Sequence, residues 1–529
     1  MKRRHILLVF LIIATNLSVT VSQTPRRRTP ARAESPKPTP IPAASPETKA
    51  ASATAPSAVD KSAATLGIVN GTTITSADIE SVVTSAIMND PDLYLRDFYQ
   101  DRDKAIREAR QRALDARINS MLIAAQAKKG GLTIEQFLER EINNKIAAPG
   151  ETEIRAVFDA NRAQLGNDLE SVRVNIVNYL REQRRQQLYG DVVNRLKMTN
   201  TVMKHADVNT PNLAPGTVLA AVDGQPIRIE IINERMKAYI YRMETQIYSA
   251  KSGAVNRRVN DLLLIAEANR RHVGSEEIVR TEITEKMKPI TDAEIARFYE
   301  ENKQRINGDL ASARAEIANY LEQQQQEKLN TALAEKLRAG ARFQIFLKEP
   351  VPPIFNVASD KGPARGDANA KVNIIEFTDF QCSACGAMYP AIENVLKNYG
   401  NRVHFEIRNF PLASLHANAF NAAEAAAAAN AQDKFWEYID LLFKNQNSLD
   451  VESLKKFATQ VGLDRKRFDA DFDGGKFDAD IRRDIEEGEL YGVESTPTIF
   501  INGVMLTTLS ADGLREAIEK GFARAANNK

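Results

Sequence analysis

The chain has 529 residues, enough for several domains. Its 71 basic and 69 acidic residues nearly cancel, and a formal net charge of +2 gives no field that would draw nucleic acid. Its 2 cysteines exclude a scaffold stapled by disulfides and suit an oxidising compartment, where stray thiols are a liability.

Residues 1–23 read as a targeting signal. Lys2, Arg3 and Arg4 form a positive start, Ile6 to Ile13 is an unbroken apolar run, and Thr20-Val21-Ser22 supplies small residues for cleavage. The expectation is a periplasmic or secreted protein. The competing reading is an uncleaved membrane anchor, for which the apolar run is short. Residues 24–65 are rich in Pro, Ala, Ser and Thr. Such a composition cannot bury a core and predicts an extended linker.

From Leu66 the chain repeats itself. IVNGTTIT at Ile68 matches AVDGQPIR at Ala221, INSMLIAAQAKKGG at Ile118 matches VNDLLLIAEANRRHVG at Val259, and GNDLESVRVNIVNYL at Gly166 matches NGDLASARAEIANYL at Asn307. Gly71 aligns with Gly224 at an offset of 153 and Tyr179 with Tyr320 at 141, so the first copy carries 12 more residues between these anchors. A duplicated domain is the economical explanation, with copies over 66–210 and 211–350. Each opens on an Asn-Gly or Asp-Gly turn, a hairpin signal. Amphipathic helices follow, with Ile118, Leu122, Ile123 and Ala125 on one face and Val172, Ile176, Val177 and Leu180 on another. Thr291 and Glu294 read as a capping box, of which Gly150 and Glu153 retain only the glutamate half. NGTTIT, RINSMLIAAQAKKGG, ETEIRAVFDANR and LESVRVNIVNYLREQ resemble the helical N-terminal module of SurA-type chaperones. Only Ala163–Asn167 and Lys303–Asn307 lie where that family often carries a prolyl isomerase, so the resemblance implies peptide binding without isomerase activity. The plainer reading of the repeats is a spacer.

A proline-bearing hinge, 349–366, leads to KVNIIEFTDFQCSACGAMYP, which holds both cysteines. Val372, Ile374, Ile375 and Phe377 read as a buried strand, and the cysteines open a helix. A thiol at a helix N-terminus meets free N–H groups and the positive end of the dipole, so its thiolate is favoured. Cys382 is expected to be the exposed attacking thiol and Cys385, one turn further in, the shielded resolving one. The competing chemistries fit less well. Zinc needs four ligands, and His5, His205, His272, His404 and His416 show no ligand spacing. A c-type haem needs histidine after the second cysteine, where Gly386 stands. A structural bridge across so short a loop restrains the unfolded chain little. Beyond the cysteines, Val403–Ile407 reads as a strand, Ala417–Ala431 and Lys434–Asn445 as helices, and Thr498–Ile501 as a strand with Pro497 before it, a candidate cis peptide.

GPARGDANAKV, IIEFTDFQCSAC, NFPL, DKFWEYIDLLF, VGLD and GVESTPTIFING occur in the order found in DsbA-like members of the thioredoxin superfamily, which the segment from about Pro363 onward resembles. The resemblance implies an α/β thioredoxin fold over 351–529 with a helical insertion at about Ala417–Tyr491. It implies that Pro497 is a cis-proline facing the active-site disulfide, that Thr496 lines the peptide groove, and that Glu376 assists proton transfer to the resolving cysteine. The competing reading of Glu376 is a carboxylate at a strand end. Strong oxidants of this family often carry Pro-His between the cysteines. Here the pair is Ser383-Ala384, which leaves the redox direction open.

The chain is therefore expected to be multidomain: a mostly α-helical duplicated region followed by an α/β thioredoxin fold with a helical insertion. Cys382, Cys385 and Glu376 are the candidate catalytic residues, and Thr496 and Pro497 the candidate substrate-binding ones. No metal, cofactor or nucleic acid is expected. The partners would be unfolded or folding proteins with cysteines, and a membrane redox partner. The alternatives are a chaperone or assembly adaptor whose thioredoxin domain serves binding, and a reductase or isomerase fed by a membrane donor.

Overall fold

The computed structural model describes residues 64–527 apart from 167, 304, 305, 307, 360 and 414. The expected signal peptide and the linker ahead of Ala64 lie outside the described residues. Among the described residues no helix is long and apolar enough to cross a membrane.

The helical region runs in the order β1 (Thr65–Val69), β2 (Thr72–Thr75), α1 (Ser76–Met88), α2 (Leu93–Gln100), α3 (Arg102–Lys129), α4 (Ile134–Glu141), α5 (Glu151–Ala160), α6 (Leu169–Thr199), β3 (Val202–Lys204), β4 (Val218–Val222), β5 (Gln225–Arg228), α7 (Ile229–Arg271), α8 (Ser275–Glu282), α9 (Asp292–Asn302), α10 (Leu310–Ala339) and β6 (Phe343–Ile345). Both hairpins turn through two left-handed residues, Asn70-Gly71 at φ 47° and 86° and Asp223-Gly224 at φ 47° and 83°. A two-residue hairpin needs that conformation, and Asn, Asp and Gly adopt it cheaply. Where α7 is one helix of 43 residues, the stretch from Ser76 to Lys129 is broken into three. Pro91 lies in one break, and Asp92 and Asp101 cap the helices that restart, each accepting a backbone N–H.

Two compact units arise from pieces that alternate along the chain. One comprises the chain up to Pro91, Ala163–Leu165 and Ser249–Lys348; the other comprises Asp92–Arg162, Gly166–Tyr248 and Glu349–Lys529. In the first, the sheet order is β2-β1-β6, all antiparallel. Asp78 accepts the Thr75 N–H at 2.7 Å and closes the start of α1. Ala268, Ile278, Ile283 and Leu333 are buried together. Arg338 ties α10 to α7 through Asn260 Oδ1 (2.8 Å) and Asn256 Oδ1 (2.9 Å). A smaller core, Ile295, Tyr299, Ala313 and Ile317, joins α9 to α10.

In the second unit the order is β3-β4-β5, again antiparallel. Its helical core joins Ile118 and Leu122 of α3, Val192 and Leu196 of α6, Leu219 and Ile227 of the sheet, and Ile232 of α7. Glu153 accepts the Gly150 N–H at 2.8 Å at the start of α5.

The same unit holds the C-terminal domain: β7 (Ala364–Gly366), β8 (Val372–Thr378), α11 (Ser383–Lys397), β9 (Val403–Asn409), helices α12 (Ala419–Asn430), α13 (Phe435–Lys444), α14 (Val451–Gln460), α15 (Arg465–Asp473) and α16 (Asp478–Leu490), then β10 (Thr498–Ile501), β11 (Val504–Met505) and α17 (Ala511–Asn527). The sheet order is β11-β10-β8-β9-β7, with β8 and β9 parallel and the other pairs antiparallel. Both faces are covered. Val372 and Ile374 pack with α11, α17 and the inserted helices, whereas Ile375 and Phe377 pack with Phe410, Tyr491, Phe500 and Phe355. This two-sided burial makes β8 an almost unbroken apolar run, with Glu376 buried inside it.

Candidate functional site

Both cysteines are free thiols at the C-terminal end of β8. Cys382 is the residue immediately ahead of α11, at φ −70° and ψ 121°. Its Sγ lies 3.4 Å from the carbonyl oxygen of Thr496. Hydrogen bonding from the Cys385 side chain, then from Thr496 and the backbone N–H groups of Cys385 and Ala384, lowers the Cys382 thiol from 9.0 to about 5, against the opposing effect of burial. A thiol so placed is ionised at neutral pH. Cys382 is less exposed than its position suggests. It is 8% exposed and Cys385 0%, because Thr496 and the turn ahead of α11 close over the sulfur. The open exposure expected of Cys382 is not found.

Cys385 has its thiol pushed well up, first by burial, then by sharing its proton with Cys382, and then by the charge of Glu376. Glu376 stands two residues before the C-terminal end of β8, opposite Ile499 of β10 and Ile407 of β9. It is 1% exposed, and its Oε2 has no hydrogen-bond partner among the described residues. Burial raises its carboxyl to about 7, with Thr378 acting in the other direction on both Glu376 and Cys385. The arrangement joins a stabilised thiolate, a thiol that resists ionisation, and an acid that exchanges its proton near neutral pH.

Thr496–Pro497 is a cis peptide at the entry to β10. Thr496 is buried, and Thr498 Oγ1 donates to the Ser495 carbonyl at 2.7 Å. The structure thus places Cys382, Cys385, Glu376, Thr496 and Pro497 at one end of the sheet.

Sequence reasoning did not single out the residues that hold this loop in shape. Asp379, fully buried, accepts the Gln381 N–H (2.7 Å) and the Leu412 N–H (2.9 Å), and its Oδ2 lies 2.8 Å from His416 Nδ1. Gln381 Oε1 accepts the Asn418 N–H at 2.8 Å. From the inserted helices, Gln446 donates to the carbonyls of Phe380 (3.0 Å) and Cys382 (2.7 Å). Gly386 makes room for it: a Cβ there would lie 2.3 Å from Gln446 Oε1. A glycine in the first turn of a helix costs about 1 kcal/mol against alanine, and that was the available signal. On the other side of β9, fully buried Arg408 donates to Asp484 (2.8 Å) and Glu487 (2.9 Å), fixing α16 to the sheet. Among the described residues no group of three or more His, Cys, Asp or Glu side chains converges as a metal site.

A thioredoxin family model matches residues 358–520. Among curated proteins the chain is similar to the Na(+)/H(+) antiporter NhaA 3 of Salinispora tropica, 35% identical over 170 residues, covering 32% of this chain and 25% of that one. It is also similar to the antiporter NhaA 1 of a Mycobacterium species, 34% identical over 161 residues, covering 30% and 25%. The chain thus spans about a quarter of the length of these relatives. Among solved structures it is similar to oxidised BdbD from Bacillus subtilis (21% identity, 33% of this chain and 100% of that one, TM-score 0.30). A second is alpha-DsbA1 from Wolbachia pipientis (19%, 33% and 96%, TM-score 0.29). A third is the catalytic domain of Proteus mirabilis ScsC (20%, 32% and 93%, TM-score 0.28). The family match and the sheet with its Cys-x-x-Cys helix give the C-terminal part of the chain a thioredoxin-like domain.

Proposed function

We propose that the protein is an extracytoplasmic thiol–disulfide oxidoreductase acting on the cysteines of folding proteins, with its helical region as a client-holding arm. The observation that carries this reading is the asymmetry of the two thiols, Cys382 lowered to about 5 and Cys385 pushed well up, beside an acid at about 7. The Cys382 thiolate attacks one sulfur of a client disulfide. That S–S bond breaks, one client sulfur leaves as a thiolate, and a mixed disulfide forms on Cys382. Glu376 takes the proton from Cys385, whose thiolate then attacks Cys382 Sγ and expels the second client sulfur. The client is reduced and the pair becomes a disulfide; the reverse sequence oxidises a client dithiol. Ser383-Ala384 between the cysteines leaves both directions open, and a membrane redox partner would restore the pair.

The export signal expected at residues 1–23 and the use of only 2 cysteines support an oxidising location. The helical region, read as two related copies resembling the SurA-type module, supports the holding role. The test is turnover of a client with scrambled or reduced cysteines by the full chain. Activity is expected to vanish in Cys382→Ser, and in Cys385→Ser the mixed disulfide is expected to accumulate. A Cys382→Ser protein with full activity refutes the reading.

A further inference from the structure

A cleft of about 930 Å³ opens in the second compact unit between α3, α7 and the loop that leads into β10. It is at the upper end of the range of ligand pockets, about 300–1,000 Å³. The redox chemistry described above makes no use of it. Three features of its walls bear on what it takes.

The first is continuity with the thiol. Ser495 and Thr498 line the cleft and flank the Thr496–Pro497 peptide, whose Thr496 carbonyl lies 3.4 Å from Cys382 Sγ. The cleft thus borders the loop that carries the peptide next to the attacking sulfur. The second is a row of unused polar atoms. Tyr239 Oη, Arg242 Nε, Thr245 Oγ1 and Gln246 Oε1 are buried in the cleft wall and have no hydrogen-bond partner among the described residues. Tyr239, Arg242 and Gln246 recur at i, i+3 and i+7 along one face of α7, and Thr245 stands beside them. They offer donors and acceptors together, the pattern that peptide N–H and C=O groups satisfy, and buried polar groups left without partners are costly. The third is the opposite wall. Ala109, Ala113 and Ala116 of α3 recur at i, i+4 and i+7 and present only methyl groups, which lets a backbone come close. The charged lining is mixed, Arg112, Arg235 and Arg242 against Glu489 and Glu494, with Arg242 paired to Glu494 at 2.6 Å, so the cleft presents no strong field of one sign.

The docking of α7 on the redox domain keeps the cleft's shape. Ala238 sits so close to Gly492, at φ 81°, that a Cβ there would lie 2.2 Å from the alanine Cβ. Arg117 pairs with Glu486 at 3.0 Å, and Lys237 donates to the Ile354 carbonyl at 3.1 Å.

We infer that this cleft binds an extended, uncharged or weakly charged stretch of the client polypeptide next to the cysteine presented to Cys382. The inference rests on the thiol–disulfide reading of the site and adds to it the place where the client chain lies. Its test is binding of a fluorescent, cysteine-free peptide of about ten residues to the full chain, read by anisotropy. The variants are Ala116→Trp, which fills the cleft from an exposed position, and Tyr239→Phe/Thr245→Val, which removes two unpartnered hydroxyls. Ala116→Trp is expected to weaken binding at least tenfold, or 1.4 kcal/mol. The double variant is expected to weaken binding severalfold while its thermal midpoint stays level or rises, which a merely structural role would not produce.

Unchanged affinity in both folded variants overturns the inference. If either variant fails to fold, photo-crosslinking of the peptide to the unmodified chain decides: adducts on α3, α7 or Ser495 support the cleft, and adducts elsewhere overturn it. Concentration-dependent self-association that Ala116→Trp abolishes would assign the cleft to a second copy and equally overturn the inference. Reduction of oxidised glutathione by the unmodified chain is measured alongside. Absence of this reduction and also of glutathione oxidation by the disulfide form, with peptide binding intact, would remove the redox reading and leave the cleft, so the two failures are distinguishable.

Discussion

Glu376→Gln tests the electrostatics of the site most directly. Glutamine keeps the volume and one acceptor but cannot ionise. Burial raises the Glu376 carboxyl from 4.5 to about 7, so the folded protein holds this proton more tightly than the unfolded chain does. The stability it contributes is complete below about pH 4.5 and is lost as the pH rises through about 7. Ionising the buried group then costs under about 1 kcal/mol at pH 5 and about 3 kcal/mol at pH 8. Relative to the natural chain, the Gln variant is expected to gain about 2–3 kcal/mol between those two pH values. The causes of the shift include no thiol, so the disulfide form is the one to measure. Urea unfolding can be followed through Trp436, the single tryptophan, which lies in the redox domain with the Arg365 guanidinium 4.3 Å over its ring. A stability difference that is the same at both pH values refutes the argument. In the same variant, resolution of a mixed disulfide on Cys382 should slow and lose its dependence on a group near pH 7.

Three further outcomes are expected. Alkylation of the reduced protein should strike Cys382 first, with a rate that titrates near pH 5, and equal labelling of Cys385 would contradict the assignment. Arg408→Met should cost about 3–5 kcal/mol in urea unfolding, because it leaves Asp484 and Glu487 without their buried partner; a loss under about 1 kcal/mol would mean that α16 is held by packing alone. Gly386→Ala should cost about 1–3 kcal/mol by forcing Gln446 off the Cys382 carbonyl, and adding Gln446→Ala should recover part of that loss. If the second substitution only adds to the damage, the clash is not the cause.

The thioredoxin-like domain was legible because its signals are local. Val372–Thr378 forms the strand, Cys382 opens the helix four residues later, and Thr498–Ile501 returns antiparallel to β8. A carboxylate inside that apolar run stood out for the same reason. The residues that shape the loop did not, since Asp379 meets His416 across 37 positions and Gln446 reaches Cys382 across 64. Neither pairing leaves a periodic trace. The 12-residue excess between the sequence copies has its counterpart near Pro91, where one long helix becomes three. Asp92 and Asp101 are recognisable caps once that break is known.

The alternation of the compact units was not legible, and the reason is physical. The two stretches read as copies open on similar hairpins and close on similar short strands, so a pattern that favours pairing a hairpin with its own closing strand favours the other partner equally. In the structure β1, from the start of the first copy, pairs with β6 at the end of the second, and β3, which closes the first copy, pairs with β4 of the second. The boundaries expected at 210 and 350 mark similarity along the sequence, whereas the cores are assembled across them. A cut at 210 would part β3 from β4 and β1 from β6, leaving two sheets with bare edges. The same assembly places α3, the first part of α7 and the thioredoxin domain in one compact unit. The wall that would read a client chain and the thiol that would attack it are therefore held together by contacts such as Arg117 to Glu486, 369 positions apart, and not by the hinge at 349–366 alone.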